Sequence, residues 1–364
     1  MAKATRNGHA AAASASFSWG KASYCTAKRL SYKTLTASDR SRSLGRIVSA
    51  VMLVCSLALS LGAAEAVLRV KNRSMTNYDI EMWRYAKDLK ARSDDPALDF
   101  DHVKSKSSVL QRVDIRLNEW GLRGGPVATP PPERRILFLG GSITLGWGVP
   151  EHETVEARLQ TLLRGAGERV DVLNGGVGNY NAERYVSRFF KELSGLEPSD
   201  IVVHYFLRDA EDLPPGGGNI LLRNSELAVT LWVAFHRLFD KAGEASLVDH
   251  YRAVYQPEAP GFVAMNAKLR ELATYARTRH IRIYFAMTPD VHNLVNYQFR
   301  FVHDTMRRVA EREGYSFVDL LPSLEGRPPE ELFAMPGDPH PNAVGHKLMA
   351  DALLPVLAKP AGTQ

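Results

Sequence analysis

The amino-acid sequence predicts an α/β protein, a three-layer α/β/α sandwich around a central parallel sheet, preceded by one N-terminal transmembrane helix. Three observations carry that expectation. From Arg135 onward, short β-branched or aromatic runs alternate with longer helical stretches, the pattern of a parallel sheet covered by helices on both faces. Glycine-rich turns, Gly140-Gly141 and, after Asn174, Gly175-Gly176, follow the first two runs. Before all of this, Ile47 to Ala64 carries no charge over eighteen residues, just enough to cross a hydrocarbon core as a helix.

The N-terminal elements come first. Residues 1–46 hold nine Lys/Arg against the single Asp39, and the rest of the chain holds 37 basic against 39 acidic residues. The net charge of +6 therefore belongs to a basic, disordered tail. A near-neutral body offers no footprint for nucleic acid. Arg40, Arg42 and Arg46 stand directly before the apolar run, so the positive-inside rule keeps the tail cytoplasmic and places the body across the membrane, in the periplasm if the cell is Gram-negative. A buried core helix is one alternative for residues 47–64. A cleaved signal is another, since Ala64-Glu65-Ala66 has the small-x-small form of a cleavage site, and the body would then be secreted. Cys25 and Cys55 are the only cysteines, so the exported body needs no disulfide.

Residues 65–132 form an N-terminal extension and linker. Asn77 to Arg92 has helical spacing, Val113 to Leu122 reads as a short strand and a turn, and Pro126 to Pro132 is a stiff connection. The main domain spans 133–358. Its strands are expected at Ile136–Leu139, Val170–Leu173, Ile201–Tyr205, Ile281–Ala286 and Phe317–Val318. Helices are expected at Val155–Leu163, Ala182–Leu193, Ala264–Arg277, Phe301–Glu313 and Ala343–Leu357. Residues 210–260 interrupt the alternation with a Pro-Pro-Gly-Gly-Gly run at 214–218 and an apolar helix at Leu227–Phe239, an insertion placed over the site as a lid.

The loops after the strands' carboxyl ends form the site in such sheets. Gly140-Gly141-Ser142 turns the chain sharply after the first strand and brings a hydroxyl to the open end of the sheet, at a helix N-terminus that favours negative charge. Asn174-Gly175-Gly176-Val177-Gly178-Asn179-Tyr180-Asn181 ends the second strand, where glycine lets a backbone N–H approach a substrate oxygen. Near the C-terminus, Gly337-Asp338-Pro339-His340-Pro341-Asn342 offers an imidazole beside a carboxylate. Asp338 can hold one ring nitrogen while the other takes a serine proton.

These motifs, in this order and spacing, resemble the SGNH or GDSL family of esterases and lipases over roughly residues 135–357. The resemblance implies a flavodoxin-like sheet, a Ser-His-Asp triad of Ser142, His340 and Asp338, an acyl-enzyme intermediate on an ester substrate, and no metal or organic cofactor. It implies an oxyanion hole at Ser142 and Gly176. Arg208 in Leu207-Arg208-Asp209 stands where the family's third motif has an oxyanion-binding Asn, and its N–H groups suit it to donate there. The chain also departs from the family in having Gly-Gly-Ser for Gly-Asp-Ser, and Asp-x-His for Asp-x-x-His. Asn179, Asn181 and His292 are candidate substrate contacts. His292, in Asp290-Val291-His292, also competes with His340 as base, and His346 on the last helix reads as structural.

Other classes lack their signatures. Thr144 breaks the Gly-x-Ser-x-Gly of α/β-hydrolases, no phosphate-binding Gly-x-x-x-x-Gly-Lys run exists, and no cluster has zinc-ligand spacing. The expected function is hydrolysis of an acyl or acetyl ester. The alternatives are an O-acyltransferase acting on an extracytoplasmic polysaccharide, with an acylated glycan as partner, and a catalytically silent binding module of the same fold.

Overall fold

The computed structural model describes residues 37–73, 77–214, 220–239, 244–335 and 340–358. The chain divides into two compact units, residues 1–60 and 61–364. Most of the first is outside the described residues; the remainder is the first part of helix α1 (Ala37–Asn72), which extends the uncharged run at both ends and continues into the second unit. Residues 41–63 are exposed, which excludes the core-helix alternative, because a core helix hides its apolar side chains from water. By length and composition this helix can cross a membrane or serve as a signal.

In the second unit, Asn77 Oδ1 accepts the N–H groups of Asp79 and Ile80 and so starts helix α2 (Tyr78–Leu89). The helix stops three residues short of the expected Arg92. Strand β1 (Lys90–Arg92) instead pairs antiparallel with β2 (Phe100–His102), a non-local partner that helical spacing cannot reveal. A second small ladder joins β3 (Ser107–Leu110) to β4 (Val113–Arg116). Met82, Tyr85, Leu89, Leu110, Ile115 and Leu117 are buried together with Leu145 and Trp147, so the extension packs on the turn after the first main strand.

The main sheet has five parallel strands, β5 (Arg134–Gly140), β6 (Val170–Asn174), β7 (Asp200–Phe206), β8 (Arg282–Thr288) and β9 (Ser316–Asp319), in the order β6-β5-β7-β8-β9. This is the flavodoxin-like order, with the ligand crevice at the carboxyl ends where the winding reverses. The short α3 (Ser142–Leu145) follows β5, then α4 (Val155–Gly165); α5 (Ala182–Lys191) follows β6. The insertion supplies α6 (Ile220–Asn224), α7 (Glu226–Phe239) and α8 (Glu244–Val254). The glycine-rich run from 215 to 218 lies outside the described residues. Then come α9 (Pro260–Arg279), α10 (Arg300–Glu313), α11 (Leu321–Leu324) and α12 (Ala343–Leu357). Helices α4 and α12 pack together on one face, and α5, α9 and α10 on the other, the three-layer sandwich expected of right-handed crossovers.

Every residue of β5 is buried, including two arginines that the hydrophobic pattern leaves outside the strand. Arg134 is accommodated because Nε donates to Asp200 Oδ2 at 2.9 Å and Nη1 to Glu168 Oε2 at 2.9 Å and to the Leu357 carbonyl at 2.6 Å. A buried guanidinium needs such partners, and here they tie the amino ends of two strands to the end of the last helix.

Candidate active site

Ser142 is the first residue of α3, two positions beyond strand β5. The turn needs Gly140, because a Cβ there would fall 2.0 Å from Thr144 Oγ1 and 2.7 Å from the His204 carbonyl. The carbonyls at the end of α3 are held from outside. Asn174 Nδ2 donates to Thr144 O, and the buried Arg123 donates through Nη1 to Leu145 O and Gly146 O and through Nη2 to Val149 O, each at 2.6 Å. Burial lowers the Arg123 pKa to about 10, with nearby Glu151 and Glu156 opposing the shift.

His340 reaches the same point from the far end of the chain. Its carbonyl accepts from Ala334 N, and Asn342 caps α12 by accepting from Val344 N and Gly345 N. The ring is buried, and His340 Nε2 stands 2.7 Å from Ser142 Oγ. Tyr78 and Trp147 lie against it, with ring centroids at 5.7 and 6.5 Å. Asp338, expected to orient the imidazole, lies outside the described residues.

The expected oxyanion role of Gly176 requires correction. Its N–H donates to Asn174 Oδ1 at 3.0 Å, and a Cβ at this position would fall 2.2 Å from Leu145 N. Gly176 is therefore glycine so that the second loop can lie against the backbone of α3, and its donor is already used. Asn179 takes the exposed place in that loop, with φ of 63°, a left-handed conformation that Asn tolerates better than most residues.

The residue before it, Gly178, is clamped from both sides by the N-terminal extension. Its N–H donates to Tyr85 Oη at 2.9 Å and its carbonyl accepts from Lys90 Nζ at 2.6 Å. Tyr85 in turn donates to His102 Nε2 at 2.6 Å, because His102 Nδ1 faces the Gly121 carbonyl at 2.8 Å and must carry the proton there. All three side chains are buried. Burial drives the Lys90 ammonium well below the ordinary lysine range, and desolvation likewise disfavours a charged His102.

After β7, Arg208 is half exposed and pairs through Nε with Glu211 Oε2 at 3.3 Å. Asp209 is buried and accepts from Phe206 N at 3.1 Å, holding the turn; desolvation raises its pKa to about 8. Asn181 is not a substrate contact. Its side chain is buried, accepts from Arg184 N to cap α5 and donates to Glu211 O, so both ends are occupied in structure. His292 holds Asp290 Oδ1 at 2.6 Å through Nδ1 and lines a separate cavity with Leu247, Asn293 and Phe299. The position of base at Ser142 is taken by His340, and His292 does not line the cavity around Ser142. His346 is buried on α12, and its Nδ1 accepts from Val155 N at 3.2 Å.

Ser142 and His340 open into a cavity of about 620 Å³ whose walls include Tyr78, Asn179, His204, Arg208 and Trp232. Three of these are invisible to motif reading. Tyr78 comes from the extension and Trp232 from the insertion, each brought in by packing between segments distant in sequence. His204 leaves one signal, a polar residue in a buried run. It is 2% exposed, with no hydrogen-bond partner at either ring nitrogen among the described residues, and desolvation lowers its pKa to about 4.

Residues 138–348 match the model of the GDSL-like lipase/acylhydrolase family. No curated protein matches the chain in sequence. Among solved structures, the acetylxylan esterase Axe2 from Geobacillus stearothermophilus is 17% identical, with 63% of this chain and 95% of that one covered at a TM-score of 0.41. LAE5, an alpha/beta hydrolase enzyme from the metagenome of Lake Arreo, Spain, is 18% identical over 61% of this chain and 94% of its own, at 0.40. TesA is 15% identical over 62% and 98%, at 0.39. With more than half its length matched by the family model, the chain belongs to the GDSL-like lipase/acylhydrolase family of ester-hydrolysing enzymes.

Proposed function

We propose that the protein hydrolyses a carboxylic ester by way of an acyl-enzyme on Ser142. The single observation that carries this reading is the 2.7 Å separation of Ser142 Oγ and His340 Nε2, at the mouth of a cavity large enough for a substrate. His340 takes the hydroxyl proton as Ser142 Oγ attacks the carbonyl carbon. The tetrahedral adduct then expels the alcohol, which leaves with that proton. Water attacks the acyl-enzyme with His340 again acting as base, and releases the acid. Asp338 is assigned the orientation of the imidazole.

The developing oxyanion is assigned to the N–H of Ser142 at the start of α3, with the second donor moved from Gly176 to the loop position of Asn179, because Gly176 spends its N–H on Asn174. Arg208 lines the cavity and pairs with Glu211 through Nε, so its terminal nitrogens are the third candidate donor. Loss of one such donor costs about 10²–10³ in rate.

Residues 47–64 are read as a single-pass anchor with the catalytic unit outside the cytoplasm, supported by the exposed apolar helix and by the basic residues before it. Hydrolysis of p-nitrophenyl acetate by the detergent-solubilised full chain tests the chemical reading. Ser142→Ala and His340→Ala are expected to lower kcat by about 10⁴ or more, while His292→Ala retains wild-type turnover. Full activity in His340→Ala, or its loss in His292→Ala, would overturn the assignment.

A further inference from the structure

The insertion supplies a wall of the cavity that ester chemistry alone does not require. Helix α7 gathers its polar residues Glu226, Thr230 and His236 on one side and its large apolar residues on the other. Glu226 and Val229 are buried on one side, whereas Leu231, Trp232 and Phe235 are 61%, 49% and 60% exposed on another. A helix that turns its large apolar side chains outward calls for a core or a lipid surface to receive them.

Its tether decides between these. The backbone N–H groups of Glu226 and Leu227 and the hydroxyl of Ser225 donate to the Glu65 carboxylate at 3.1, 2.9 and 2.9 Å. Asn72 Nδ2 donates to Glu226 Oε2 at 2.8 Å, and Arg69 Nη2 to the Asn224 carbonyl at 3.0 Å. Glu65 is the first charge after the uncharged run, so it stands where that run leaves the hydrocarbon. The start of helix α7 is thereby tied to Glu65, Arg69 and Asn72 at the polar end of α1. Leu231 is six residues beyond Ser225, about 9 Å along a helix, close to the roughly 5–8 Å depth of one headgroup layer.

A second cavity, of about 400 Å³, lies beside this helix. Trp83, Leu222 and Val229 give it apolar walls, and Lys87 and Arg223 give it positive charge. It shares Phe100, Asn179 and Trp232 with the cavity that contains Ser142. We propose that α7 lies in the headgroup–acyl boundary of the bilayer with Leu231, Trp232 and Phe235 toward lipid, and that the substrate is a bilayer-resident acyl ester. Its chain runs along the second cavity while its carbonyl reaches Ser142. The inference rests on the anchored-esterase reading above and adds the source of the substrate.

The test uses the full chain in nanodiscs of phosphatidylcholine and phosphatidylglycerol. In a Cys25→Ser, Cys55→Ser background, a nitrobenzoxadiazole label is placed at Leu231→Cys or, as a control, at Leu162→Cys, an exposed position on α4. Lipids with a doxyl group high on the acyl chain are expected to quench the Leu231 label at least about twofold more than the control. Equal quenching in chain that co-floats with lipid after carbonate washing overturns the inference and leaves the anchor standing. Chain that does not float overturns both. Separately, the double variant Leu231→Glu, Phe235→Glu is expected to keep its rate on soluble p-nitrophenyl acetate and to lose about tenfold or more on p-nitrophenyl palmitate held in the nanodisc. Equal losses on the two esters, or no loss on either, contradicts the proposal; no hydrolysis of either ester by the wild-type chain removes the esterase reading while leaving the quenching result to decide where α7 sits.

Discussion

Replacing Tyr85 by Phe removes one oxygen and tests whether the N-terminal extension shapes the active site. That oxygen accepts from Gly178 N and donates to His102 Nε2, so the variant leaves two buried groups without partners. Each orphan costs about 1–3 kcal/mol. The ring itself still fills its place against Trp147. A total of about 2–6 kcal/mol should lower the unfolding midpoint of the unit by roughly 4–24 °C. The same change frees the backbone next to Asn179, whose φ of 63° is held in place through Gly178. If the clamp contributes even about 1.4–2.8 kcal/mol to the transition-state geometry, kcat falls about 10- to 100-fold. The assay is calorimetry of the detergent-solubilised chain together with p-nitrophenyl acetate turnover well below the midpoint. Lys90→Met provides the contrast. It takes the donor from the Gly178 carbonyl but also removes an ammonium that burial disfavours, so stability should change less than activity. A Tyr85→Phe protein with wild-type midpoint and wild-type kcat would refute the clamp. A lowered midpoint with unchanged kcat would confine its role to folding.

Other expectations follow from the same contacts. Gly176→Ala places a methyl group 2.2 Å from Leu145 N, so backbone must move, and urea titration should show a loss of about 1–3 kcal/mol or more alongside reduced turnover. Arg134→Met takes one of two arginines from the buried Asp200 carboxylate, which keeps Arg282 and the Ser199 hydroxyl, and should cost about 1–3 kcal/mol in the same titration, without moving the pH profile of kcat/KM. Desolvation raises the Glu156 pKa from 4.5 to about 8. The folded state therefore holds a proton that the unfolded chain releases, and stability is full below about pH 4.5 and declines as pH rises through about 8. Glu156→Gln should flatten that decline in thermal melts between pH 5 and 9; an unchanged slope would show that another group sets it.

The parallel sheet is legible because its strands are fully buried runs separated by helices of the right length. Legibility fails where a residue's partner is distant. Arg134 and Arg135 look like strand breakers, yet they begin β5 because Asp200, Glu168 and backbone carbonyls far along the chain receive their donors. Lys90 to Arg92 continues a helical pattern and becomes a strand through pairing with Phe100 to His102. At the site, Ser142 and His340 can be singled out by motif although 198 residues separate them. Gly176 and Asn181 mislead for one shared reason: type and spacing show which groups could donate to a substrate, and only the fold shows which have already been spent on Asn174, Arg184 and Glu211.

Reaction of the full chain with a fluorophosphonate, followed by peptide mass mapping, reports most directly on whether Ser142 is the activated nucleophile. The adduct is expected on Ser142 alone, forming rapidly in the wild-type protein and in His292→Ala, and at least about 10³-fold more slowly in His340→Ala. Labelling at another serine, or equal rates with and without the imidazole of His340, would contradict it.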